Sequence, residues 1–221
     1  MRGGQTSNAI MSTGVATAPP AFDAISFSAG GTTDRVWTHN PIGTPKGIIV
    51  QVIQAATGAD QVSTVTYGVA TLSRTGFNSG SSSAVYTYFL GTSVPTGAQT
   101  VTVTVSNSAT KVGAATSITA GTDCSVAGTD VTINSSSLAN PSGTIPLTAK
   151  TCYCQMAFMS GQADPTGVTE LSSWTNRSEA DFGTQVGGLY TYDIIGNTDV
   201  TDGWTQTAAM ACGYGVAVSS P

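Results

Sequence analysis

Charge is scarce in this chain of 221 residues. Asp, Glu, Lys and Arg supply 9% of the residues, and the formal net charge is -5. The seven Lys and Arg occur singly, so no basic stripe is available to displace counterions from phosphates, and we expect no nucleic-acid partner. No apolar run has the roughly 20 residues that a membrane-spanning helix needs, and the first 21 residues lack the apolar core of a secretory signal. We therefore expect no membrane partner and synthesis in a cytoplasm.

Histidine is almost absent, because His39 is the only one in the chain. A Ser-His-Asp hydrolase or a cysteine protease needs an imidazole to take the proton of its nucleophile. His39 lies in WTHNP, where Asn40 and Pro41 end a strand, and this position favours a surface or strand-end histidine. The acidic residues show no spacing that selects a glycosidase pair, and phosphate loops and dinucleotide fingerprints are missing. The sequence predicts no enzyme and no cofactor.

Cysteine is also rare, with four residues: Cys124, Cys152, Cys154 and Cys212. Two of them, Cys152 and Cys154, are two positions apart and would share one face of a strand. A zinc knuckle needs a tighter Cys-x2-Cys turn and a second pair, so no metal site is predicted. Buried free thiols are favoured, since a cytoplasm keeps thiols reduced. The alternative is a disulfide within or between chains, formed under oxidising conditions.

Threonine, serine and glycine are abundant in place of charge, with 36 Thr, 25 Ser and 26 Gly. Between residues 47 and 106, short β-branched and aromatic runs alternate with turn residues, which is typical of an antiparallel sheet that folds back repeatedly. In TVTVTVS, the valines would face inward and the threonines outward, and GIIVQVIQ is apolar on both faces and predicts a covered central strand. We find no internal repeat of fixed period, so two immunoglobulin-like copies are disfavoured. The prediction is an all-β, antiparallel, two-sheet β-sandwich of jelly-roll or concanavalin-like type.

The N-terminal segment, residues 1–21, differs from the rest of the chain. It has no acidic residue, no periodicity and two adjacent prolines. This pattern predicts an extended arm that lies on a neighbouring subunit, with a free flexible terminus as the alternative, while residues 22–221 form a single sandwich domain. Candidate contact residues in the arm are Arg2, Asn8, Ile10, Met11, Val15, Pro19 and Pro20.

The sequence suggests two further kinds of site. Aromatic side chains such as Trp174 and Trp204 could provide platforms for sugar rings and thus face a glycan. The loop NTDVTDG offers Asn197, Asp199 and Asp202 as oxygen ligands for calcium, but it lacks the EF-hand pattern, and a solvated turn is favoured.

Six strings between about residues 35 and 220 carry a resemblance to a known kind of protein: PKGIIVQVIQ, DQVSTVTYGVATLSR, AVYTYFLGTSVPTGAQTVTVTVS, DFGTQVGGLYTYDI, DGWTQT and ACGYGVAVSS. Together they resemble the β-sandwich virion proteins of tailed bacteriophages and their prophage relatives. The four cysteines depart from that resemblance.

The resemblance implies a non-enzymatic structural part of the virion, such as a head decoration, a fibre, or a collar or tail component. It implies assembly in several copies with itself and with other virion proteins, after synthesis in the cytoplasm of the bacterial host. The alternative is a carbohydrate-binding sandwich that recognises a host-surface glycan.

Overall fold

The structure is a computed structural model that describes residues 17–55, 57–80, 82–106, 108–130, 134–147, 150–160, 168–170, 173–181, 188–206 and 209–221. Every regular element in these ranges is a β-strand, and every strand pairing is antiparallel, so the all-β prediction is confirmed. The first nine strands are β1 Ala21–Phe27, β2 Arg35–His39, β3 Gly47–Ala55, β4 Val62–Tyr67, β5 Ala70–Thr71, β6 Ser73–Ser79, β7 Ser83–Leu90, β8 Gln99–Val105 and β9 Lys111–Thr119. The second nine are β10 Ser125–Asp130, β11 Asn134–Leu138, β12 Ser142–Ile145, β13 Cys152–Ser160, β14 Thr169–Glu170, β15 Thr175–Asp181, β16 Gly188–Gly196, β17 Val200–Thr205 and β18 Ala209–Ser219.

These strands form four sheets rather than the two that the sequence predicts. Sheet I has the order β2-β8-β4-β5, and sheet II has the order β1-β9-β3-β7-β6. Sheet III has the order β10-β18-β13-β16-β15, with β11 also paired to β18, and sheet IV has the order β12-β17-β14. The sequence pattern could not distinguish two sheets from four, because a strand covered on both faces looks the same in either case.

The sheets stack in the order I, II, III and IV, as their buried side chains show. Val50 and Val52 of β3 pack with Val103 of sheet I, on one face of sheet II. On the opposite face, Ile49 and Ile53 pack with Ala157 and other residues of sheet III. Sheet III in turn buries its far face against Trp204 and other residues of sheet IV. Sheets II and III are therefore the two inner layers, which explains why β3 and β13 are buried at every position.

The two halves of the chain repeat one strand order. In sheet II the strand order is β1, β9, β3, β7 and β6. Sheet III has the corresponding order β10, β18, β13, β16 and β15 when β11, an additional strand of the second half, is set aside. Sheets I and IV correspond in the same way through β2-β8-β4 and β12-β17-β14. The corresponding edge strands β6 and β15 even share a register shift, at Arg74/Gly76 and Asn176/Ser178. The strand order thus repeats although the sequence shows no repeat of fixed period, and the single-domain prediction for residues 22–221 stays a prediction.

Only the end of the predicted N-terminal arm lies within the described residues. The Gly121 amide donates to the Ala18 carbonyl over 2.8 Å, and the Thr17 hydroxyl donates to the Pro221 carbonyl over 3.1 Å. Pro20 is buried, Pro19 is exposed, and β1 already begins at Ala21. Residues 17–21 therefore lie against their own chain. Arg2, Asn8, Ile10, Met11 and Val15 lie outside the described residues, and their contact with a neighbouring subunit stays a prediction.

Candidate functional site

His39 ends β2, as expected, but it is buried rather than on the surface. Its ring is 0% exposed, and its Nδ1 lies 2.8 Å from the Ser26 hydroxyl, which also accepts a hydrogen bond from the Trp37 indole. Burial lowers the pKa of His39 to about 4, although the charge of Asp23 acts in the opposite direction. The Asp23 carboxylate instead accepts hydrogen bonds from the Gly43 amide and the Ser117 hydroxyl. Among the described residues, no carboxylate is hydrogen-bonded to this imidazole, which is enclosed and stays neutral at neutral pH.

The depressed pKa of His39 predicts an acid-dependent loss of stability. In the unfolded chain this imidazole titrates near its ordinary pKa of 6.5, whereas in the folded protein it stays neutral down to about pH 4. As the pH falls through this window, the unfolded state binds the proton first, so the folded state is disfavoured. We expect the free energy of unfolding to fall by about 2 kcal/mol from pH 6.5 to about pH 4.5 through this group. Urea unfolding at several pH values in this range measures the fall in the free energy of unfolding. In His39→Gln the part of that fall due to His39 should be absent. If the free energy of unfolding changes equally with pH in both proteins, His39 is not its cause.

All four cysteines are buried and free in the structure, and the choice between free thiols and a disulfide stays a prediction. Burial raises the pKa of the Cys124 thiol and that of the Cys212 thiol to about 11 each. Burial also raises the pKa of Cys152. Because the thiolate is the reactive form, these side chains are poor nucleophiles and poor metal ligands at neutral pH.

This burial predicts that the thiols are unreactive until the protein unfolds. In native buffer at pH 8, a thiol-specific reagent should label none of the four cysteines within minutes. In roughly 6–8 M urea, which unfolds most small proteins, the reagent should label all four. Non-reducing electrophoresis should show monomer with and without reductant. Multimers that collapse on reduction would support the disulfide alternative instead.

The two tryptophans predicted to face a glycan are buried, which corrects that prediction. Trp204 is 0% exposed and stacks on Phe158 with the ring centroids 3.7 Å apart. Trp174 is 5% exposed, and its indole donates to the Thr201 carbonyl over 2.9 Å. Both rings fill the space between sheets III and IV, so neither presents a face on which a sugar could stack.

The candidate calcium loop includes Asp202, whose side chain lies outside the described residues. Asp199 accepts a hydrogen bond from the Leu147 amide over 2.9 Å, which ties the turn to the preceding loop. Within the ranges that the structure describes, no three His, Cys, Asp or Glu side chains are placed to hold a metal ion. The calcium site and the solvated turn both stay predictions.

A concave site that the sequence did not indicate surrounds Arg177. Arg177 in β15 donates from Nε to Asp193 of β16 over 2.7 Å, and its guanidinium lies over the Phe22 ring of β1, 4.0 Å from the centroid. Asp193 is 2% exposed and neighbours Tyr153, whose pKa is raised well above its usual value by burial and by the charge of Asp193. These side chains lie beside a cavity of about 440 Å³ where sheets II and III meet.

A chain of buried polar contacts continues from this site into the centre of the molecule. The Tyr153 hydroxyl donates to Gln155 Oε1 over 3.0 Å, and Gln155 Nε2 donates to Gln51 Oε1 over 2.7 Å. Gln51 Nε2 then donates to the Thr87 hydroxyl over 3.2 Å. Gln51 and Gln155 lie on the corresponding strands β3 and β13, so the amide pair joins the two halves. The signal in the sequence was a glutamine inside each of two largely apolar strands, Gln51 in β3, which also carries Gln54, and Gln155 in β13.

Comparisons of the chain with protein-family models, with curated proteins and with solved structures find no match. Among the described residues, no helix has the length and apolar character needed to span a membrane. Functional inference therefore depends on the arrangement of the chain's own residues.

Proposed function

We propose that this chain is a non-enzymatic structural protein of a bacteriophage virion that assembles in several copies on the particle exterior. The observation that carries the proposal is the burial of its chemically reactive groups. The only imidazole and all four thiols lie inside a stack of four sheets, where no substrate can reach them. A chain that encloses its nucleophiles and bases in this way is suited to be a scaffold. The resemblance of its strand succession to virion sandwich proteins supports the same conclusion.

We further propose that each half is a jelly roll. In the first half β1 pairs with β9, β2 with β8 and β3 with β7, so the chain pairs like a long hairpin rolled over two sheets. In the second half β10 pairs with β18, β12 with β17 and β13 with β16. Jelly rolls built from two Greek keys are common in viral capsid proteins, although they also occur in lectins, and the fold alone does not assign a function.

Apolar side chains at the surface support assembly in several copies. Val36 of β2 is 60% exposed, Val69 at the β4–β5 turn is 100% exposed, and Ile42 is 86% exposed. The outer face of sheet I carries threonines between them, including Thr38 and Thr100. Such a surface can be covered by a neighbouring subunit with little cost for desolvating charges.

The alternative function, recognition of a host-surface glycan, loses the two tryptophans that suggested it, because both rings are buried. The two functions are distinguished by stoichiometry and localisation. Quantitative mass spectrometry of virions purified from the phage that encodes the chain should recover it in multiple copies per particle. Antibody labelling in electron micrographs should place those copies on the exterior. Particles that lack the chain, while the infected-cell lysate contains it, would contradict the proposal.

A further inference from the structure

The cavity beside Arg177 has the dimensions of a small-molecule site. Its volume of about 440 Å³ falls inside the range of roughly 300–1,000 Å³ that is usual for ligand pockets. Strand β1 of sheet II lines one side, and β15 and β16 of sheet III line the other. The cavity thus lies at the junction of the two halves, where binding sites often form.

Arg177 is held in one orientation at this cavity. Its guanidinium is fixed from one face by the Phe22 ring at 4.0 Å and along one edge by Asp193 at 2.7 Å from Nε. Within the described part of the chain, its two terminal nitrogens have no hydrogen-bond partner, and the side chain is 30% exposed. A planar guanidinium with two free terminal nitrogens is suited to bind a carboxylate through two parallel hydrogen bonds.

The other Arg–Asp pair of comparable length shows that this arrangement is not general. Arg74 also lies 2.7 Å from an aspartate, Asp60, but both side chains are about 40% exposed. Its guanidinium is 5.8 Å from the Phe77 ring, compared with 4.0 Å at Phe22. Arg74 is therefore less constrained, and it provides a matched control for Arg177.

The remaining walls of the cavity combine hydroxyl groups with apolar surface. Ser173 and Thr175 are exposed and offer hydroxyls that donate or accept hydrogen bonds. Ile194 and Ile195 add an apolar wall, and Ile195 is 50% exposed at the surface. A sugar ring presents both features, with hydroxyl groups around its edge and C–H groups on its faces.

We propose that this cavity binds an acidic sugar, a hexose-sized ring with one carboxylate. The carboxylate pairs with the terminal nitrogens of Arg177, the ring hydroxyls contact Ser173 and Thr175, and a C–H face of the ring packs on Ile195. This site is separate from Trp174 and Trp204, and it does not depend on the structural role proposed above.

Titration of the full chain with D-glucuronate, followed by calorimetry or ligand-observed NMR, tests the site. Methyl glucuronate, in which the carboxylate is esterified, and acetate, which lacks the ring, are the comparison ligands. We expect saturable binding of glucuronate, at least about tenfold tighter than that of either comparison ligand. Arg177→Lys keeps the charge but loses the planar fork, and it should weaken glucuronate binding about tenfold, whereas Arg74→Lys should leave it unchanged.

Ile195→Glu provides a second variant that leaves the Arg177–Asp193 pair intact. It places a carboxylate at the exposed rim of the cavity, so glucuronate binding should weaken about tenfold through repulsion, with the thermal melting temperature unchanged. Loss of binding in this variant supports the site even if Arg177→Lys folds poorly. The proposal is overturned if glucuronate does not bind saturably, if the ester or acetate binds as tightly, or if folded Ile195→Glu binds glucuronate like the original chain.

Discussion

Replacing Gln155 by leucine is expected to lower the free energy of unfolding by about 3 kcal/mol. Leucine has nearly the volume of glutamine, so packing changes little, but two hydrogen bonds are lost and Gln51 Oε1 is left buried without its donor. A buried polar group without a partner costs roughly 1–3 kcal/mol, in addition to the lost bonds. Urea unfolding of the purified variant measures the change. Gln99→Leu is the matched control, because the Gln99 amide bonds to Thr96 in an exposed turn and its loss should cost less than about 0.5 kcal/mol.

A double-mutant cycle separates the amide pair from its surroundings. If Gln51 and Gln155 act as a pair, the variant with both replaced by leucine should be destabilised by about 1–2 kcal/mol less than the sum of the two single changes, since no orphaned amide then remains between the sheets. Strict additivity would show that the contact between the two glutamines contributes nothing. In the double variant, the position of sheet II relative to sheet III is also expected to be less strictly fixed, because the only polar contact described between β3 and β13 is removed.

The strands that the sequence predicted best are those whose surroundings repeat along the strand. In β8, Val101 and Val103 are fully buried while Thr100 is exposed, as the alternation predicts. The largely apolar β3 is covered on both faces by sheets I and III. In these strands, successive side chains point to opposite faces of the sheet, and each face has one environment along its length. The sequence pattern therefore predicts both the strand and the burial of its residues.

The amide pair and the Arg177 site depend on partners that periodicity does not specify. Gln51 and Gln155 are separated by 104 residues and meet because corresponding strands of the two halves face each other. Arg177 acquires its position from Phe22, which belongs to the other half of the chain. In the sequence alone, each of these residues is a single polar or aromatic side chain in a strand, which is an ordinary observation with no preferred partner.

The repeated strand order escaped sequence analysis for a related reason. The last strands of the two halves, β9 and β18, share the small residues of Gly-x-Ala-x-Ser at residues 113–117 and 215–219. In these runs Ala115 packs toward sheet I and Ala217 toward sheet IV. A Cβ at Gly113 would press on the Trp37 ring, and a Cβ at Gly213, two residues before the second run, would press on the Trp204 ring. Sheet packing requires only small and apolar residues here, so two copies can diverge in sequence while keeping one topology.

Replacing Gly76 by valine is expected to cost about 3 kcal/mol, because this glycine admits a ring from the other half of the molecule. A Cβ at position 76 would fall within the Tyr214 ring. Tyr214 is 2% exposed, and its hydroxyl donates to the Thr75 carbonyl over 2.8 Å, so the ring has little room to move aside. Overpacking of this kind typically costs 1–3 kcal/mol, and valine also displaces a buried hydrogen bond. Chemical denaturation measures the loss, and Gly97→Val is a poor control because Gly97 has a positive φ of 69°.

The cause of this destabilisation can be tested by removing the ring that the valine would meet. Position 214 of β18 corresponds to position 112 of β9 in the first half, where the residue is valine. Tyr214→Val therefore gives the second half the residue that the first half already has. Alone it should destabilise the protein by leaving a cavity, but combined with Gly76→Val it should recover about 1–2 kcal/mol relative to the sum of the single changes, since the new methyl groups fill the vacated space. If the two changes are additive, Gly76 is required by its own backbone rather than by contact with Tyr214. Recovery would instead show that the two halves are fitted to each other at this edge, as they are at the central glutamine pair.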